Sequence, residues 1–307
     1  MILTLTMNPS VDMSYHLDKL TINKVNRIAS ASKTAGGKGL NVARVLHFLG
    51  ADISTTGLIG GRLGEFIVDQ LNNSGIHNQF FKIKGDTRNC IALLHEGNQT
   101  EINEGGPIIS EDESRKFLEY IQKISKDFDI ITISGSLPRG LNTDYYSKLI
   151  ELLDSKILLD TSGQALKETL LSSSKPFFIK PNDDELSDLL NITINKDINE
   201  LKKVLNNDLF KGIEWIMVSL GADGALVKHG NKFYKADIPS VEVVNPVGSG
   251  DSTVAGFAYG LNKNLSTEDI IKTSMTCGIL NALEPKTGYI NVDNFDNIFN
   301  QVNIREI

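Results

Sequence analysis

The residues with the most chemical content are Gly248, Ser249, Gly250 and Asp251, in the run Asn245-Pro-Val-Gly-Ser-Gly-Asp251. A β-branched stretch, 241–244, leads into them, and a small, apolar stretch, 252–261, leads away. Two glycines around a serine let successive backbone N–H groups turn into one concavity. The start of a helix adds its own unbonded N–H groups and the positive end of its dipole. The product is a site for an anion. A carboxylate at its mouth is electrostatically out of place unless Asp251 takes a proton from a hydroxyl while the amides stabilise a phosphoryl group in transit. The same residues also read as an ordinary loop with Asp251 as the N-cap of a helix that begins at or just after it.

Other turns supply complementary groups. Ala35-Gly-Gly-Lys-Gly-Leu-Asn41 opens a strongly amphipathic helix, with Val42, Val45, Leu46 and Leu49 at i, i+3, i+4 and i+7. Gly37 permits close approach to the backbone, and Lys38 and Asn41 sit one turn apart, so both can face one ligand. The spacing is not that of a Walker A loop, and a plain tight turn is the alternative. Asp12, in Asn8-Pro-Ser-Val-Asp12, can accept hydrogen bonds from two sugar hydroxyls or belong to a turn. Arg88, Arg139 and Arg27 are candidates for gripping a phosphate; each also reads as a solvated surface arginine. Asn182 and Glu185 in Lys180-Pro-Asn-Asp-Asp-Glu185 have capping-box spacing and could also order waters around Mg²⁺, with Lys180 reaching nucleotide phosphates. Ser219, Gly221 and Gly224 form a further strand-and-glycine turn suited to a nucleotide.

These turns need a scaffold that gathers them. Apolar strand candidates at 2–5, 53–58, 130–134, 157–160, 177–180, 216–220, 225–228 and 241–244 alternate with helix candidates at 110–127, 142–153, 182–190, 251–262 and 266–283, besides the helix after Gly39. Strands separated by helices predict an α/β fold with a mostly parallel sheet covered on both faces, and ligands beyond the carboxyl ends of its strands. Segments 11–34 and 78–103 read as strands without helices between them. They predict a small inserted sheet that acts as a lid, or an edge extension of the main sheet.

Composition narrows the classes. The 307 residues carry 31 basic and 38 acidic side chains, a net charge of −7, with no basic block, which argues against nucleic-acid and membrane partners. Two cysteines without ligand spacing predict a reducing compartment, and an N-terminus without a basic leader predicts a cytoplasmic protein. Five histidines form no cluster that would suggest a transition-metal site.

Together the inventory fits phosphoryl transfer from a nucleotide to a hydroxyl, where catalysis is mostly positioning and charge stabilisation. The motifs Asn8–Asp12, Ala35–Asn41, Ser134-Gly-Ser-Leu-Pro138, Lys180–Glu185, Ser219–Gly224 and Val247–Asp251 resemble those of the ribokinase/PfkB sugar-kinase family, in order, from residue 1 to about 290. The resemblance implies a Rossmann-like α/β domain spanning 1–307 with a β lid, ATP as donor, Mg²⁺ as cofactor, and a homodimer formed through the lids. It also implies roles. Asp251 would be the base and Gly248, Ser249 and Gly250 the anion hole. Asp12, Gly37 and Asn41 would hold the sugar, and Arg88 with Lys38, Arg139 or Arg27 its phosphate. Lys180, Ser219, Gly221, Gly224 and Asn281 would hold the nucleotide, and Asn182 and Glu185 the Mg²⁺ through water. Within the family the chain is similar to the phosphosugar branch, which implies a ketohexose phosphate as acceptor: D-tagatose 6-phosphate, or a fructose phosphate. A sugar-phosphate-binding regulator without turnover is the reading from another class. Where many members carry Asp-Thr before the anion hole this chain has Asn245-Pro246, so activation by a monovalent cation is not carried over.

Overall fold

The computed structural model describes residues 1–29 and 31–307. In chain order the strands are β1 Ile2–Thr6, β2 Ser10–Leu17, β3 Ala31–Gly36, β4 Ile53–Ile59, β5 Phe81–Lys82, β6 Arg88–His95, β7 Asn98–Asn103, β8 Ile130–Ser134, β9 Lys156–Asp160, β10 Phe178–Ile179, β11 Trp215–Ser219, β12 Ala225–His229, β13 Lys232–Asp237 and β14 Asn303–Glu306. The helices are α1 Lys38–Phe48, α2 Gly61–Asn73, α3 Glu111–Ile124, α4 Tyr145–Leu152, α5 Gly163–Leu171, α6 Asp183–Leu190, α7 Ile198–Leu205, α8 Ser249–Asn262, α9 Thr267–Ala282 and α10 Phe295–Gln301.

Ten strands form one sheet in the order β14-β13-β12-β11-β10-β9-β8-β1-β4-β5. From β11 to β5 all neighbours run parallel; β12, β13 and β14 are added antiparallel at one edge. Parallel strands joined by helices are covered on both sides, which is why β1, β4 and β8 are buried at every position. Successive side chains feed two cores: Ile2 of β1 joins one with Val45, Phe178 and Phe257, while Leu3 and Leu5 join the other with Ile131, Phe117 and Leu186. From β1 the chain steps one way to β4 and the other way to β8, β9 and β10. That reversal leaves a crevice beyond the carboxyl ends of the strands.

A second sheet, β3-β2-β6-β7, stands apart. It takes in much of the two segments expected to lie outside the main rhythm, with one correction. Phe81–Lys82 pairs with β4 in the large sheet, so the second segment joins the small sheet only from Arg88. Residues 241–244 are not a strand either. Val244 and Asn245 donate backbone hydrogen bonds to the Ala282 carbonyl at 2.8 and 3.1 Å, at the end of α9. The antiparallel edge of the large sheet is formed by β14, which pairs with β13. The helices α2, α5, α7 and α10 and the strands β13 and β14 were not among the expected elements. Helices α2 and α7 carry clear amphipathic spacing that was missed, whereas α5, α10 and the two edge strands are short and packing decides them.

Candidate active site

Helix α8 begins at Ser249, two residues earlier than expected, with Gly248 as its N-cap. Asp251 is therefore not a cap; it lies in the first turn with its side chain turned inward, 6% exposed. Gly248 has φ of 86°, and a Cβ there would come within 2.7 Å of Thr287 Cγ2, so the turn needs glycine on both counts. The Ser249 amide donates to the Pro246 carbonyl at 3.2 Å and the Ser252 amide to the Gly248 carbonyl at 2.9 Å, which leaves the amides of Gly250 and Asp251 between them without a backbone acceptor among the described residues. A Cβ on Gly250 would meet the Lys180 ammonium at 3.2 Å, which sets a cation over those amides. Unbonded amides beside an ammonium suit an anion.

The carboxylate of Asp251 is held by one specific donor. Asn41 Nδ2 bonds Asp251 Oδ2 at 2.7 Å from the first turns of α1. Burial pushes the Asp251 pKa up to about 6, and the nearby Asp160 adds to the rise, while Lys38, Asn41 and Lys180 oppose it. A carboxyl poised there is ionised at neutral pH yet basic enough to take a hydroxyl proton.

Asp160 was not singled out from the sequence. It ends β9, is 2% exposed, and sits between two ammonium groups: Lys38 Nζ at 3.4 Å from Oδ2 and Lys180 Nζ at 3.6 Å from Oδ1. Burial alone would raise its pKa, but Lys180 and Lys38 together outweigh that and hold it below the usual carboxylate range. Asp160 in turn raises the Lys38 pKa. The only sequence signal was an acid closing an apolar strand. Arg44, on α1 one turn after Asn41, was also missed and lines the same space.

One cavity of about 1260 Å³ collects most of the expected residues. Asp12, Gly37, Lys38, Asn41 and Arg88 line it, as do Lys180, Asn182, Glu185, Ser219, Gly221, Gly224 and all of 248–251. Three expected residues do not reach it. Asn281 is fully buried and braces the loop instead: its Nδ2 donates to Val247 O at 2.9 Å and its Oδ1 accepts from Gly288 N–H at 2.8 Å. Arg139 donates to the Gly106 carbonyl at 2.7 Å, and Arg27 lies in an exposed stretch before β3.

Beside the first space lies a smaller cavity of about 220 Å³, lined by Thr6, Asn8, Gly37, Lys38, Arg88, Ser134, Gly135, Ser136, Thr161 and Ser162. Four of its buried polar atoms, Thr6 Oγ1, Asn8 Oδ1, Arg88 Nε and Ser134 Oγ, have no hydrogen-bond partner among the described residues. Buried polar atoms are nearly always paired, so the unpaired Arg88 Nε–H and the hydroxyls of Thr6 and Ser134, with Lys38 beside them, suit an anionic group, while Asn8 Oδ1 can only accept, as from a hydroxyl. In the larger cavity, Ser10 Oγ donates to Asp12 Oδ1 at 2.6 Å, and burial raises the Asp12 pKa.

Asn182 and Glu185 form the capping box of α6: Asn182 Oδ1 accepts from Glu185 N–H at 2.6 Å and Glu185 Oε2 from Asn182 N–H at 3.0 Å. That leaves Glu185 Oε1 without a hydrogen-bond partner among the described residues. No group of three or more His, Cys, Asp or Glu could hold a metal among the described residues. The donor set therefore fits a hydrated Mg²⁺ carried mainly by phosphates and not a protein-caged ion.

Comparison with known proteins agrees with this architecture. The model of the pfkB family carbohydrate kinases matches residues 5–294. A Staphylococcus epidermidis protein named tagatose-6-phosphate kinase is 54% identical over 310 residues, with both chains covered in full. The Escherichia coli phosphofructokinase-2 structure in complex with fructose-6-phosphate superposes with a TM-score of 0.88 at 28% identity, covering 97% of this chain and 98% of that one. The same enzyme in complex with potassium gives 0.89 at 28% identity with the same coverage. The chain belongs to the pfkB family of carbohydrate kinases.

Proposed function

We propose that the chain transfers the γ-phosphoryl group of ATP to the free primary hydroxyl of D-tagatose 6-phosphate, giving D-tagatose 1,6-bisphosphate and ADP. The observation that carries this reading is Asp251: a buried carboxylate with a pKa near 6, beside first-turn amides and under the Lys180 ammonium. The sugar oxygen attacks the γ-phosphorus, its proton passes to the free Oδ1 of Asp251, and the bond to the ADP oxygen breaks. Of the anion-hole loop Gly248, Ser249 and Gly250, the Gly250 amide, with that of Asp251, is unbonded and offered to the charge that builds on the transferring oxygens, while the Ser249 amide first has to leave the Pro246 carbonyl. Asp12, Gly37 and Asn41 hold sugar hydroxyls. The two-cation cavity at Lys38 and Arg88 suits the phosphate the sugar already carries, since its orphaned atoms are otherwise costly to bury. In that state the Arg88 guanidinium exchanges its present bonds to the Asn8 and Glu104 carbonyls for phosphate oxygens.

Lys180, Ser219, Gly221 and Gly224 hold the nucleotide, and the half-exposed Val243 and Val247 provide apolar surface for its base. Mg²⁺, where bound, neutralises phosphate charge; Glu185 and Asn182 orient its waters. The small sheet serves as a lid, on which Asp12 and Arg88 already reach the cavity. Ile22 and Val25, 79% and 77% exposed beside that sheet, supply an apolar edge for pairing with a second copy. No helix among the described residues is long and apolar enough to cross a membrane.

The test is ADP release with Mg²⁺-ATP across tagatose 6-phosphate, fructose 6-phosphate, fructose 1-phosphate and the unphosphorylated ketoses. Tagatose 6-phosphate should give the highest kcat/KM and free tagatose the lowest. Equal turnover of free and phosphorylated sugar refutes the phosphate cavity, and no ADP from any acceptor refutes the kinase.

A further inference from the structure

Arg44 contacts no atom that reacts, yet it determines how the base is presented. Its side chain lies along α1, where Nη2 donates to Asn41 Oδ1 and Nη1 to the Ala35 carbonyl. Asn41 then uses its other end, Nδ2, to donate to Asp251 Oδ2 at 2.7 Å. An amide has one accepting and one donating end, and a guanidinium can only donate. With Arg44 in place the accepting end of Asn41 is committed, so its donating end faces Asp251. Turned over, the amide would set its oxygen against the carboxylate, a contact that only protonated Asp251 tolerates.

The surroundings fix this arrangement. Asn41 is buried, and a Cβ on Gly288 would come within 3.0 Å of Asn41 Oδ1 and 3.1 Å of Arg44 Nη2, so the 287–288 turn closes against both. That turn is the one bonded to Asn281, which braces Val247 ahead of the anion loop. The charged groups facing Asp251 are Asp160 from the end of β9, Lys38 and Arg44 on α1, and Lys180 after β10. Arg44 also faces Asp12 of β2.

We propose that Arg44 is a positioning residue for the Asp251 base, acting through the Asn41 amide, whose direction it sets. The proposal rests on the kinase reading above. In physical terms Arg44 and Asn41 favour the ionised carboxylate against burial and against Asp160. Removing Arg44 loosens the acceptor geometry of Asp251 and makes the carboxyl easier to protonate.

The experiment measures kcat at saturating tagatose 6-phosphate and Mg²⁺-ATP between pH 5 and 9 for the wild type, Arg44→Lys, Arg44→Met, Asn41→Ala, and Asn41→Ala with Arg44→Lys. The kcat profile is used because a free sugar phosphate itself titrates near pH 6 and would distort kcat/KM. Arg44→Met should lower kcat roughly ten- to a hundredfold, the scale of a misplaced catalytic group. Its acid limb should move up by about half a pH unit or more. Arg44→Lys should restore part of both, and if Arg44→Met does not fold, this variant alone carries the test. In the Asn41→Ala background Arg44→Lys should add little, because the pathway is already cut. An acid limb that stays in place, or effects that add fully in the double variant, overturns the proposal. A wild type without ADP formation overturns the kinase reading itself and this inference with it.

Discussion

Asp251→Asn should make the ligand-free protein more stable while abolishing its activity. The carboxyl is 6% exposed, and its pKa stands at about 6 against an ordinary 3.8. A shift of about two units corresponds to roughly 3 kcal/mol, at about 1.4 kcal/mol per unit. The sign follows from linkage. The folded state binds this proton more tightly than the unfolded state does, so the carboxyl's stabilising contribution is complete below pH 3.8 and lost as pH rises through about 6. At pH 8 the ionised group is a net burden. Asparagine is neutral, has nearly the same shape, and still accepts from Asn41 through its oxygen. Urea unfolding should therefore give a variant more stable than wild type by up to about 3 kcal/mol at pH 8. The gap should close as pH falls below about 6. Turnover, in contrast, should fall by about three orders of magnitude or more, since no group remains to take the hydroxyl proton. A variant equal to or weaker than wild type at every pH refutes the assignment of electrostatic strain to this carboxyl. Unchanged kcat refutes its role as base.

Arg88→Ala should cost roughly 2–4 kcal/mol in kcat/KM for a phosphorylated sugar, mostly through KM, by removing charge-assisted bonds. Steady-state kinetics with free tagatose should show a much smaller loss, and an equal loss with both sugars counts against a phosphate contact. Asp160→Asn leaves Lys38 and Lys180 facing each other without their shared counter-charge. It should lower stability by about 3–5 kcal/mol in chemical unfolding. With Asp160 no longer raising the Asp251 pKa, it should also move the acid limb of kcat downward; an upward shift contradicts the geometry. Gly248→Ala places a Cβ at a φ of 86° and 2.7 Å from Thr287. It should lose about 1–2 kcal/mol of stability and more than tenfold in kcat, readable by melting and by ADP release. Wild-type kcat with an unchanged melting temperature contradicts the strained turn.

Local chemistry was legible from the residues themselves. Gly248 to Asp251 marked a glycine turn into a helix start that lines the cavity, because backbone freedom and helix polarity follow from residue type. The capping box of Asn182 and Glu185 followed from spacing, and the buried parallel strands from continuous apolar runs. What the local signals could not give is who meets whom across the sheet. Asp160 is an acid at the end of an apolar strand until β9 lies between β8 and β10, which sets Lys38 and Lys180 on either side of it. Asn281 looked available to a ligand until the packing of α8 on α9 buried it behind the loop it braces. Residues 241–244 had the composition of a strand, but the amides of Val244 and Asn245 are taken by the Ala282 carbonyl at the end of α9 and not by a sheet. Residue types thus determined which groups this chain can offer. Only the closed tertiary structure decided which of them lose water together, and desolvation beside a fixed neighbour turns an ordinary carboxylate into one poised near pH 6.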